Sequence, residues 1–256
     1  MSPIHFQTNY HLSNLYDAIK SRAPEILGDF LSDPYIYQFN DDDKTLTFTS
    51  ERLIPKKQSG RKRVLLLFSN PHPHSVHQGM FLSPSVKGRQ SFFWTGMLDA
   101  GWFKLPETGP VPSRLAEIFM NVEYDSPFEF LFYCYYSFPT RYPDHIEKLF
   151  GKEYFKEVIE PEARDGFSRI IHEEKPEVVV TFNKSVFNLV SKDAVDKYID
   201  RLKAGEVIRS EIKNAKNEVP IFLTYPTGWR YDRNHQEYRR KNLEKIKDLV
   251  LRVEEK

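Results

Sequence analysis

Cysteine is almost missing from this chain: Cys134 is the only one in 256 residues. A single thiol closes no intramolecular disulfide, builds no four-cysteine zinc site and holds no iron–sulfur cluster. The expectation is a protein of a reducing compartment, the cytoplasm. An excess of charge is missing too. Lys and Arg number 37 against 36 Asp and Glu, a net +1, so an anionic partner has to be met by a local patch. No run approaches the ~18 apolar residues of a membrane span. The segment from Met1 to Tyr10 has neither the basic start nor the apolar core of a signal peptide, and no membrane partner is expected. Also absent are His-Glu-x-x-His, a Gly-x-Ser-x-Gly elbow and a phosphate-binding glycine fingerprint.

What is present is core material. Apolar residues make up 40% of the chain and aromatics 14%, which excludes disorder. Four uninterrupted β-rich runs recur: Val64–Phe68, Phe128–Cys134, Val178–Phe182 and Ile221–Leu223. Strands apolar on both sides, alternating with helical segments, describe a parallel sheet covered on two faces. The helical segments are Gln90–Ala100, Ser113–Met120, Pro161–Glu174, a stretch after Lys184, and a last helix from about Asn234 with Leu243, Ile246, Val250 and Val253 in one stripe. The expected fold is α/β, a three-layer sandwich with a short, mainly parallel four-stranded central sheet. Residues 1–60 read as a helix-and-hairpin extension packed on the main domain, residues 61–256. Its helix spans Leu12 to Leu31 and should break or restart at Pro24. The protein is expected to act as a monomer.

In open α/β sheets ligands sit beyond the carboxyl ends of the strands, so the turns that follow the four runs hold the candidate site. The first reads Ser69-Asn70-Pro71-His72-Pro73, continues to Phe81, and leads into Arg89 and Phe93-Trp94, ending at Ala100-Gly101-Trp102. The third run ends in Asn183-Lys184, and the fourth in Tyr225-Pro226-Thr227-Gly228-Trp229-Arg230. In this order the motifs resemble the uracil-DNA glycosylase superfamily, most closely its mismatch-specific uracil/thymine branch. Those proteins carry an Asn-Pro turn after the first strand, an aromatic about a dozen positions on, an Arg…Phe-Trp helix ending in Ala-Gly-aromatic, and a Pro-Ser-Gly wedge loop after the last strand. The matches extend from about residue 63 to 232, with two long unmatched stretches.

The resemblance implies a monofunctional DNA base-excision glycosylase that hydrolyses the N-glycosidic bond of uracil or a related deaminated or mismatched base, with no metal or organic cofactor. Asn70 would orient the attacking water and Phe81 would stack on the flipped base. Tyr225 and His72 would border the base, and Trp229 would fill the gap in the duplex while Thr227, Gly228 and Arg230 meet phosphates. Such a site suits the chemistry, because a cation-like sugar needs only a weak nucleophile held in place. The chain departs from the family at His72, where most relatives carry Gly, and at Tyr225, where they carry His or Asn. The polar residue that reads the base edge has no clear match in the run from Tyr133 to Thr140. Two other readings stay open: a non-catalytic nucleic-acid-binding member of the same fold, and a metal-dependent hydrolase on His72, His74 and His77, with Asp144 or His145 as a further ligand.

Overall fold

The computed structural model describes residues 2–82, 85–86, 89–106, 112–215, 217–226 and 234–252. The chain opens with β1 (His5–His11), α1 (Tyr16–Leu27), β2 (Tyr37–Asn40) and β3 (Thr45–Leu53). Then come β4 (Lys62–Phe68), α2 (Pro73–Gln78), a short ribbon of β5 (Ser85–Val86) and β6 (Arg89–Gln90), α3 (Phe92–Asp99), α4 (Pro112–Met120) and β7 (Phe128–Cys134). After it, α5 (Asp144–Phe150) and α6 (Lys152–Tyr154) lead through a π-helical turn, Phe155–Ile159, into α7 (Glu160–Glu174). The last part holds β8 (Val178–Thr181), α8 (Lys184–Val190), α9 (Tyr198–Lys203), β9 (Ile208–Glu211), β10 (Pro220–Leu223) and α10 (His235–Arg252).

The four apolar runs lie side by side as parallel neighbours in the order β7–β4–β8–β10. Along β4, Val64, Leu66 and Phe68 enter the core shared with α3, α4 and α10, while Leu65 and Leu67 enter the one shared with α1, α5, α7 and α8. Helices therefore cover both faces, and neither side of these strands needs a polar residue. Each fully buried Leu or Val contributes roughly 1.5–3 kcal/mol, which is why the runs are continuous.

The expected four-stranded sheet is corrected to eight. On one side β3 pairs antiparallel with β7 through Arg52 and Leu53 and carries β1 and β2; on the other, β9 pairs antiparallel with β10. Of the added strands, β2 and β3 are the expected hairpin, whereas β1 and β9 escape the pattern because margin strands bury only part of their length: β1 reads His-Phe-Gln-Thr-Asn-Tyr-His and buries only Tyr10. The N-terminal hairpin is thus hydrogen-bonded into the same sheet as the four apolar runs. Pro24 does not break α1 either. It removes one backbone donor, and the helix runs on to Leu27 because Tyr16, Ile19, Ala23 and Leu27 bury one stripe across it. The stripe of α10 is present at Leu243, Ile246 and Val250; Val253 lies outside the described residues.

At the amino ends of the parallel strands sits a buried ion network. Arg63 donates from Nε to Glu129 Oε1 (2.8 Å) and from Nη2 to Glu174 Oε2 (3.0 Å), and Nη1 donates to the Glu174 carbonyl. Glu129, fully buried, also accepts from the backbone N–H (2.6 Å) and hydroxyl (2.7 Å) of Ser59. A buried charge is tolerable only when so enclosed. Close by, α7, β9 and β10 border an open cleft of about 1070 Å³ lined by Phe167, His172, Arg209, Glu211 and Val219 among others. It faces away from the carboxyl ends, where the sequence motifs converge.

Candidate functional site

Strand β4 ends at Phe68, and Ser69, Asn70 and Pro71 form the turn beyond it. The Asn70 amide nitrogen donates to the Thr140 carbonyl (2.7 Å), the Thr140 hydroxyl oxygen (2.9 Å) and the Pro71 carbonyl (3.0 Å). Two carbonyl oxygens facing one end of an amide fix that end as the nitrogen, since oxygen could not donate to them. Asn70 Oδ1 is then the other end, and among the described residues its partner is the Ser69 hydroxyl at 3.1 Å. Its remaining acceptor capacity lies at the carboxyl end of the parallel sheet, on a side chain that is only half-buried.

Thr140 is the residue that sequence reasoning missed. It is buried, its N–H donates to the Pro71 carbonyl (3.0 Å) and its hydroxyl donates to the Tyr142 carbonyl (2.8 Å). It closes the run in which no base-reading residue could be placed. Its partner lies 70 residues away, so no local pattern marks it.

The turn after β4 contains a helix where a loop was expected. Pro73 occupies the first turn of α2, where its missing N–H costs nothing, and His72 is the N-cap: Nδ1 accepts the His74 N–H at 3.1 Å. Gly79 ends the helix at φ +81°, in the left-handed region that favours glycine. Burial first, then the neighbouring His74 and Arg141, lower the His72 pKa from 6.5 to about 4. At neutral pH the ring is uncharged, with its acceptor nitrogen held by the helix and its edge against Phe30. His74 also packs near Phe30, whereas His77 Nδ1 meets Asp33 Oδ2 at 2.8 Å. His77 thus turns to Asp33, while His72 and His74 share the Phe30 ring. Among the described residues no group of three His, Cys, Asp or Glu side chains could hold a metal ion.

Phe81 is 1% exposed. Its ring packs on Phe68 (5.6 Å between centroids) and Phe132 (5.4 Å), and its carbonyl accepts the Trp94 indole N–H at 3.1 Å. A base could stack on it only after its cover moves. Tyr225 is fully buried, with its backbone N–H on Asn242 Oδ1 (3.1 Å) and its ring beside Tyr238. Phe81 and Tyr225 belong to the cores on opposite faces of the sheet, so they do not come together as walls of one pocket.

Thr227, Gly228, Trp229 and Arg230 lie outside the described residues. The root of their loop is described, and it is clamped. The buried Arg239 of α10 donates from Nη2 (2.6 Å) and Nε (3.2 Å) to the Pro226 carbonyl and from Nη1 to the Phe92 carbonyl (3.4 Å), with its guanidinium over the Phe92 ring. Gly96 lets it pass: a Cβ there would stand 3.0 Å from Arg239 Cδ. Burial lowers the Arg239 pKa to about 10, with Tyr225 acting in the opposite sense. The sequence gives no signal for this role, because an arginine on a charge-rich helix reads as solvated.

On this geometry the carboxyl end of the sheet presents one oriented amide, a pinned threonine and a clamped loop root. No protein-family model matches the chain, and no curated protein does.

Proposed function

We propose that the protein is a DNA glycosylase that hydrolyses the N-glycosidic bond of uracil or a related deaminated or mismatched base, with Asn70 orienting the water. The observation that carries this reading is the amide of Asn70. Its nitrogen is held by Thr140 and Pro71, so Oδ1 is the end left to accept a hydrogen bond from a water molecule. Base departure builds positive charge on the sugar, and a water fixed by a neutral acceptor then suffices as nucleophile. The neutral His72 fits the same chemistry as a scaffold, not as a proton donor. The order of motifs along the chain supports the assignment of Phe81 to the base and of Trp229, Thr227, Gly228 and Arg230 to the DNA.

The test is direct. The protein is incubated with duplexes and single strands bearing uracil, thymine mismatches, hypoxanthine and xanthine, and abasic sites are then cleaved with alkali. Strand breaks with one of these substrates are expected; none with any of them overturns the reading. One observation favours a second reading, nucleic-acid binding without catalysis: Phe81 is covered by the core. In that case the protein retains abasic or mismatched DNA without breaking it.

A further inference from the structure

We infer that the loop Thr140–Tyr142 is a nucleic-acid contact, with the Arg141 guanidinium on a backbone phosphate and the Tyr142 ring against the base of an unstacked nucleotide next to the target. The inference rests on the glycosylase reading for the place of the target and on separate observations for the loop.

The first observation is exposure. Of the large apolar side chains that stand exposed among the described residues, Tyr142 is the only aromatic, at 46%. Arg141 beside it is exposed as well. An aromatic face and a guanidinium side by side are the two elements that bind a single strand without regard to sequence, one by stacking and one by charge.

The second observation is rigidity. Asn70 holds Thr140 by its carbonyl and hydroxyl, Pro71 holds the Thr140 N–H, and the Tyr142 carbonyl accepts both the Thr140 hydroxyl (2.8 Å) and the His145 N–H (3.1 Å). The His145 ring packs edge-on against the Tyr142 ring at 5.1 Å. None of the backbone bonds depends on what the Arg141 or Tyr142 side chains do, so the pair stands on a frame built by the Asn70 turn.

The third is reach. Tyr142 stands two residues of chain, at most ~7 Å, from the Thr140 that Asn70 holds. A nucleotide whose sugar faced Asn70 would therefore have its neighbour over Tyr142. A base stacks on a side chain only once it has left its own stack, so the contact selects single-stranded or locally opened nucleic acid over intact duplex.

The experiment uses the whole chain with Tyr142→Ala, Tyr142→Phe and Arg141→Ala. Binding to a labelled uracil-containing single strand is read by fluorescence anisotropy at several salt concentrations, base release on the same oligonucleotide, and thermal unfolding as a control. Tyr142→Ala should weaken binding about 10-fold or more without a shift in unfolding temperature, and Tyr142→Phe should keep it within about twofold, since the ring is retained. Arg141→Ala should lower the salt slope by about one unit. If wild type releases base and all three variants match it in binding, the loop is no contact and the inference falls while the glycosylase reading stands. Binding without base release, still lost in Tyr142→Ala, sustains the loop and removes the enzyme. A wild type that neither binds nor releases overturns both.

Discussion

The two ends of the parallel strands treat polar groups in opposite ways. At the amino end Arg63, Glu129, Glu174 and Ser59 close on one another, and Glu177 Oε2 is the one buried side-chain atom there without a partner among the described residues. At the carboxyl end the buried Thr224 Oγ1, Asn242 Nδ2 and Glu51 Oε2 have no partner among the described residues. Glu51 lies in β3 just before the residues that pair with β7, near Cys134, and burial pushes its carboxyl well above the usual range. A buried polar atom without a partner costs about 1–3 kcal/mol. Among the described residues the amino end is thus the more fully closed, and the carboxyl end, where the proposed site lies, carries more buried side-chain atoms without a partner.

Substitutions at either end can break this contrast. The largest effect is expected at the amino end. Glu129→Ala takes two donors' worth of partner from Ser59 and one from Arg63 and should lower the unfolding free energy by about 3–5 kcal/mol, read from the urea midpoint. Base release per folded molecule should not change; if it collapses, the network belongs to the working part. Next is Asn70→Ala, which should slow base release by about 10²-fold or more and cost no more than about 1–2 kcal/mol of stability. A variant with undiminished activity removes Asn70 from the chemistry.

Glu51→Met runs the other way. The folded carboxyl keeps its proton where the unfolded one, with its ordinary value of 4.5, has released it. The fold is therefore favoured fully below about 4.5 and loses stability as pH rises toward the raised value. Removing the carboxyl should gain about 1–2 kcal/mol at pH 7 and flatten that decline, measured by urea unfolding from pH 5 to 8. A loss of stability instead would mean that Glu51 has a partner in solution. The smallest effect is expected for His72→Asn. Asparagine also caps helices, so stability at pH 7 should change by no more than about 0.5 kcal/mol. Because the folded His72 pKa lies near 4 against 6.5, the wild type loses stability as pH falls from 6.5 toward 4, and the variant should lose less over that window.

Much of the centre of the fold was legible because burial on two faces leaves no choice of residue. Phe128–Cys134 is the same in sequence pattern and structure, and β4 gains only Lys62 and Arg63, polar residues that no hydrophobic pattern includes. Arg63 belongs to the strand because Glu129 and Glu174 receive it. The margins were hidden for the converse reason: β1 and β9 alternate or mix polarity as strands with a free edge do. At the site, Asn70 could be singled out by its turn and its likeness to a family motif. Thr140 and Arg239 could not, because each acts on a residue far away in the chain. Phe81 shows the limit of motif position: the same residue type serves a core or a base, and only packing separates the two.

Cys134 has a practical consequence. The thiol lies at the end of β7, buried in the core shared with α3, α4 and α10, and burial, then Glu51, raise its pKa well above the usual thiol value. Thiolate is the form that attacks labelling reagents, so the native molecule should be silent toward them. With no second cysteine in the sequence, every label incorporated marks a moment when the sheet parted at that one position. The protein thus carries a built-in clock for the opening of its own centre, readable without adding a probe or changing a residue.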